Sequence, residues 1–162
     1  MISGTRKIDP KLPSCPLPDM RITFTKISDE RHAVKITRSD GTSESVELVS
    51  RGFLRHDLAH FAIELELPIR KGYWGCVSSG ASLSGEGVAG GEARLAESLA
   101  GPIQTLFRMD AGPDPYLELL REFSPTGASH DLAARVHERV RRLRGHWKAT
   151  PYGGEMELDW PE

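Results

Sequence analysis

Asp40-Gly41, set between two runs of alternating residues, constrains this fold more than any other feature of the sequence. Asp-Gly accepts the positive φ angles of a tight turn, so the strands it joins must run back antiparallel. Before it, Ile22 and Phe24 alternate with Thr23 and Thr25, residues 28–31 read as a turn, and residues 32–38 read as a second strand carrying Ala33, Val34 and Ile36. After it, residues 43–49 form a third strand with Val46 and Leu48 on one face. The expectation is a three-stranded meander. Near the other end, Met156, Leu158 and Trp160 alternate with Glu155, Glu157 and Asp159, the mark of a half-buried strand. Residues 147–150 read as its hairpin partner, across Pro151-Tyr152-Gly153-Gly154.

Between these strands the period changes. Residues 52–67 read as a helix stopped by Pro68. Residues 70–91 hold seven glycines and read as a long loop with one short strand around 73–77, a flap beside the preceding helix. Residues 92–109 are helical, with Pro102 expected to divide them. A short helix runs from Asp114 or Pro115 to Phe123, and Ser129 caps a longer one ending near Arg144. The fold class expected is α+β, a small antiparallel sheet (N-terminal meander plus C-terminal hairpin) packed against three or four helices. The 162 residues suit one domain, spanning 21–162, preceded by an extended arm over 1–20 that holds Pro10, Pro13, Pro16 and Pro18.

The net charge of −2 argues against a dedicated nucleic-acid binder. No apolar run approaches the ~20 residues a bilayer span needs, and the first residues lack a signal-peptide core. Cys15 and Cys76 belong to no Cys-x-x-Cys pair. These features set the expectation of a cytoplasmic protein with no membrane partner.

The chemistry gathers at His56-Asp57-Leu58-Ala59-His60. Two imidazoles four residues apart lie one turn above each other on one helix face, the spacing with which a rigid element offers two nitrogens to a metal. On a wheel at ~100° per residue, Leu54, Leu58, Phe61, Ala62 and Leu65 form one apolar stripe, and His56, His60 and Glu64 form a second on roughly the opposite side. Phe53, Ile63 and Leu67 flank the histidines, so the helix is expected to be central with its histidine face partly covered. Covered histidines need partners: a metal, a carboxylate or backbone carbonyls.

The five residues resemble the catalytic helix of zincin metallopeptidases, whose hallmark is His-Glu-x-x-His. The resemblance implies His56 and His60 as metal ligands and Asp57 as general base, with aspartate one methylene shorter than the family's glutamate. A catalytic zinc takes three protein ligands plus water. Glu64 lies too far along the helix from His56 to share one ion with it, and it reads as a carboxylate that orients His60 or moves protons. The third ligand is expected elsewhere: Glu92, just after the glycine-rich loop, is chosen, with Glu118, Glu122 and His32 as alternatives. The first functional expectation is a divalent-metal protein, with zinc the model ion, acting as a small hydrolase on a small-molecule or peptide substrate. The second is a non-enzymatic binding or interaction module with structural histidines, for which a homodimer would be one sign.

Other signals carry less. His130 and His137 read as a solvated helix face, and Arg135, Arg139, Arg141, Arg142, Arg144 and Lys148 as charges on an exposed helix end. The glycine-rich segment lacks the Gly-Lys-Ser/Thr of a phosphate-binding loop and the Gly-x-Ser-x-Gly of a nucleophile elbow.

Overall fold

A computed structural model describes residues 18–161. The elements, in chain order, are β1 (Met20–Lys26), β2 (Arg31–Arg38), β3 (Ser43–Val49), α1 (Ser50–Glu66), α2 (Tyr73–Ser78), α3 (Gly91–Arg108), α4 (Asp114–Phe123), α5 (His130–Ala149) and β4 (Glu155–Trp160). The fold is α+β. The expected arm lies outside the described residues up to residue 17, as does Cys15, and Met20 already opens β1. No helix among the described residues is long and apolar enough to cross a membrane.

The four strands form one antiparallel sheet in the order β3-β2-β1-β4. The register sets Phe24 opposite Val34 and Met156, and Ile22 opposite Ile36 and Leu158. With the period-2 alternation of strands, this lines Met20, Ile22, Phe24, Val34, Ile36, Met156 and Trp160 on one buried face. Helix α1 crosses that face. Leu58, Phe61 and Ala62 meet the sheet, and every residue from Asp57 to Glu64 is buried, so the helix is central as its two-sided apolar pattern implied. Ser129 Oγ accepts the Leu132 N–H at 3.1 Å, the N-cap expected for α5.

Three segments differ from the sequence reading. Residues 73–78 form α2 rather than a strand, for a reason given below. Helix α3 runs unbroken through Pro102. Gly101 precedes the proline and has no Cβ to clash with its ring, and Ala96, Leu99, Ala100, Ile103 and Phe107 bury one continuous stripe. Residues 147–149 are the last turn of α5, not a strand, so β4 alone joins the sheet from this end. Lys26 holds that turn. Its Nζ donates to the carbonyls of Trp147 at 3.0 Å and Thr150 at 2.9 Å, satisfying acceptors that a helix end leaves open.

His32, one of the alternatives for a third ligand, is instead a core residue of β2. Its ring is buried, stacks on Phe24 and meets the edge of Trp147. Nδ1 lies 3.0 Å from Ser50 Oγ, and Nε2 has no partner. Burial lowers the His32 pKa against the opposing pull of the Asp57 charge. A histidine that resists protonation only when folded costs stability once the unfolded chain begins to take up the proton, near pH 6.5, and the cost grows as pH falls toward the folded pKa. In metal-free protein, the loss of Tm between pH 7.5 and 5.5 is therefore expected to be smaller for His32→Gln than for the wild type. Equal losses in thermal melts at the two pH values would contradict this.

Candidate metal centre

His56 and His60 emerge from α1 onto the side facing α3, with ring centroids 4.6 Å apart. Glu97 reaches back from α3 to both rings. One of its oxygens lies 3.1 Å from His56 Nε2, and the other lies 2.9 Å from His60 Nε2. His56, His60 and Glu97 offer three ligand atoms that all lie within 4.8 Å of one another. Bonds of ~2.1 Å to a tetrahedral ion set neighbouring donors roughly 3.4 Å apart, somewhat wider than the two histidine–carboxylate separations, which run to different oxygens of Glu97. The side chain of Glu97 is 64 % exposed and that of His56 31 %, so one side of the cluster opens to solvent.

Behind His60 the site is closed. Glu64 is fully buried, and its Oε1 accepts the His60 Nδ1 proton at 3.0 Å. The same oxygen accepts the backbone N–H groups of Tyr73 at 2.7 Å and Trp74 at 3.3 Å, and Oε2 accepts that of Gly75 at 3.2 Å. Those N–H groups open α2. A helix start leaves its first N–H groups without partners, and a carboxylate is a favourable acceptor for them. Glu64 thus caps α2 from another helix, which is why residues 73–78 coil instead of extending. Trp74 completes the joint by donating Nε1–H to the Asp57 carbonyl at 2.9 Å.

Two glycines make room for this joint. A Cβ on Gly72 would lie 2.3 Å from Glu64 Cδ, and one on Gly75 would lie 1.9 Å from the Arg70 carbonyl oxygen. Gly72→Ala is expected to push the carboxylate off the α2 N–H groups and destabilise the fold by about 1–3 kcal/mol, the usual cost of overpacking a filled site. Chemical denaturation of the two proteins measures this, and an unchanged midpoint would contradict it.

The charges reinforce one another. Asp57 is buried, with Oδ1 3.7 Å from His56 Nδ1, an ion-pair contact rather than a short hydrogen bond. It is the largest influence raising the His56 pKa; burial opposes it, and Glu97 adds to it. Burial alone would raise Glu97, but its bonds to the two histidines carry its pKa below the usual carboxylate range. Tyr73 packs on the His60 ring and donates its hydroxyl to the Leu83 carbonyl at 2.8 Å. Burial, together with the charges of Asp57, Glu44 and Glu64, raises the Tyr73 pKa, so the phenol stays a neutral donor. Beside these groups lies a cleft of about 430 Å³. Asp57 and Tyr73 line it together with Val46, Leu48 and Phe53.

The structure brings His56, His60, Asp57 and Glu64 together as neighbours. It does not bring Glu92. That carboxylate accepts the Arg70 N–H at 3.1 Å, at the far end of α1, and Glu97 occupies the position by the histidines. Glu118 and Glu122 stand exposed on α4, away from the cluster. Within the glycine-rich segment, Glu44 accepts bonds from Ser82 Oγ and the Leu83 N–H at 3.1 Å each. His130 is exposed, and His137 packs edge-on against Tyr116. Comparison with family models, curated proteins and solved structures finds no match, so any functional reading rests on this geometry.

Proposed function

We propose that this chain binds a divalent metal, zinc being the model ion, through His56 Nε2, His60 Nε2 and one oxygen of Glu97, and that it uses the site for hydrolysis. One observation carries the reading. His60 faces a carboxylate from each of its nitrogens, Glu64 at 3.0 Å and Glu97 at 2.9 Å. A neutral imidazole has one N–H, so the second contact needs a further proton, on the ring or on a carboxyl, or a metal. With Asp57 beside His56, three carboxylates surround two imidazoles, an excess of negative charge that a divalent ion offsets.

The chemistry of the donors agrees. Two histidines and one glutamate form a set typical of catalytic zinc, which leaves a position for water or substrate. Glu64 fixes the ring of His60 and the nitrogen that carries its proton, the usual work of a carboxylate behind a metal-bound histidine. All the contacts of Glu64 are internal, which suits it to orientation rather than proton shuttling. A bound metal would supply polarisation of the scissile carbonyl and acidification of water. Asp57, at the place of the glutamate in the zincin pattern, touches His56 and lines the cleft, so it is the group to accept a proton there. Val46, Leu48 and Phe53 offer a partly apolar bed for a small-molecule or peptide substrate. The proposal includes a cytoplasmic setting, for which the support is two cysteines outside any Cys-x-x-Cys pair.

Zinc-loaded protein is expected to hydrolyse a chromogenic ester or fluorogenic peptide with an apolar side chain, and Asp57→Asn to abolish that turnover while zinc stays bound. Turnover unchanged in Asp57→Asn would contradict the assigned role. A second reading, a non-enzymatic binding module, is favoured by Val49 and Phe53, which are 54 % and 55 % exposed at the start of α1. Dimeric elution without bound metal would support that reading over the first.

A further inference from the structure

A second cleft, of about 430 Å³, shares no residue with the histidine cluster. It draws cations from four elements: Lys26 of β1, Arg55 of α1, Arg108 of α3, and Arg144 and Lys148 of α5. Asp29 is the acid in its wall, and the Tyr152 hydroxyl already donates to that carboxylate. Several arginines elsewhere have carboxylate partners. Arg38 meets Glu44 at 2.7 Å, Arg139 meets Glu66 at 2.5 Å, and Arg141 meets Glu138 at 2.8 Å.

In this cleft Arg55, Arg108 and Lys148 make no ion pair with any described carboxylate, and Lys26 is committed to two backbone carbonyls. Arg144 has one partner, Asp110, at 3.3 Å and almost fully exposed. Arg108 and Lys148 also lie at or near the ends of their helices, where terminal carbonyls favour cations. That accounts for each of them singly. It does not account for Arg55, which projects from the body of α1 into the same space. Five cations outnumber Asp29, the one acid in the cleft wall, and an anionic ligand relieves the repulsion that remains.

We propose that this cleft binds the phosphate groups of a small phosphorylated molecule. Planar guanidinium groups match phosphate oxygens in pairs, and several cations favour a multiply charged group over a single carboxylate. The volume suits a small ligand. A duplex needs a long basic stripe and a basic excess, whereas these cations converge on one recess of a chain with net charge −2.

Titration calorimetry of metal-stripped, full-length protein tests the proposal, with sodium pyrophosphate, ATP and sodium sulfate as probes. Pyrophosphate or ATP is expected to bind, and sulfate to bind far more weakly. ATP binding more tightly than pyrophosphate would identify a nucleotide as the source of the phosphate, and equal binding an inorganic or other phosphate chain. Arg55→Glu and Arg108→Glu should each weaken binding by about tenfold or more, because each removes a charged contact and adds a repulsion. Both positions lie at the surface, and a thermal melt confirms that the variants fold. Glu97→Ala should bind pyrophosphate like the wild type, which separates this site from the histidine cluster. Absence of binding, sulfate binding as tightly as pyrophosphate, or binding unchanged in both charge-reversal variants would overturn the proposal.

Discussion

Glu64→Ala is expected to destabilise the native state by about 3–5 kcal/mol, the range seen when one partner of a buried charged contact is removed. For a domain of this size that lowers Tm by roughly 6–20 °C. The cause is local and specific. Glu64 has no exposed surface and takes protons from His60, Tyr73, Trp74 and Gly75. Alanine leaves those four donors facing a void, and α2 loses its cap. Glu64→Gln is a finer test. It keeps the volume and one oxygen, which can serve the three donors now on Oε1, but it turns an amide toward the Gly75 N–H. The expected cost is smaller, about 1–3 kcal/mol. Trp74 sits at this joint, edge-on to Phe24 and Tyr73, so near-ultraviolet circular dichroism should change in both variants. Two variants as stable as the wild type would show that α2 stands without Glu64.

Glu97→Ala should leave the fold intact and abolish most metal binding. Its side chain is exposed, and its bonds go to the two histidine rings rather than to the apolar core. Even residues that only orient a metal ligand change affinity 10–100-fold when replaced, so losing one of three ligands should weaken zinc by more than about 100-fold. Zinc that binds the native state alone raises Tm, by an amount equivalent to about 2.7 kcal/mol at a hundredfold excess over Kd. The wild type is expected to show that rise, and Glu97→Ala to show little of it at the same zinc concentration. Glu92→Ala should behave like the wild type, because Glu92 is engaged with Arg70. An equal rise in Glu97→Ala would exclude Glu97 as a ligand.

Glu92 and Glu97 also mark where sequence reasoning stopped. The strands were legible because their signals are local: the alternation of Ile22 and Phe24, the Asp40-Gly41 turn, and the alternation ending at Trp160. The two histidines were legible because helical spacing alone sets them on one face. The third position depends on how α3 slides along α1. Gln104 bonds to the Gly52 carbonyl, Glu97 to His56 and His60, and Glu92 to the Arg70 N–H, so the helices run antiparallel with Glu97 at the level of the histidines. Glu92 lies five residues away, about 7.5 Å along the axis. Periodicity within α3 gives no hint of this, since Glu92 is at least as close as Glu97 to the middle of the buried stripe. The same limit explains α2 and the last turn of α5. One is capped by Glu64, the other by Lys26, and both acts are invisible until distant segments meet.

X-ray absorption at the zinc edge, on stripped protein reloaded with one equivalent of zinc, tests the ligand set most directly. The arrangement of His56, His60 and Glu97 predicts two imidazole nitrogens at about 2.0–2.1 Å and carboxylate or water oxygen at about 2.0–2.2 Å. A shell with sulfur at about 2.3 Å, a spectrum without imidazole scattering, or protein that retains no zinc would contradict it.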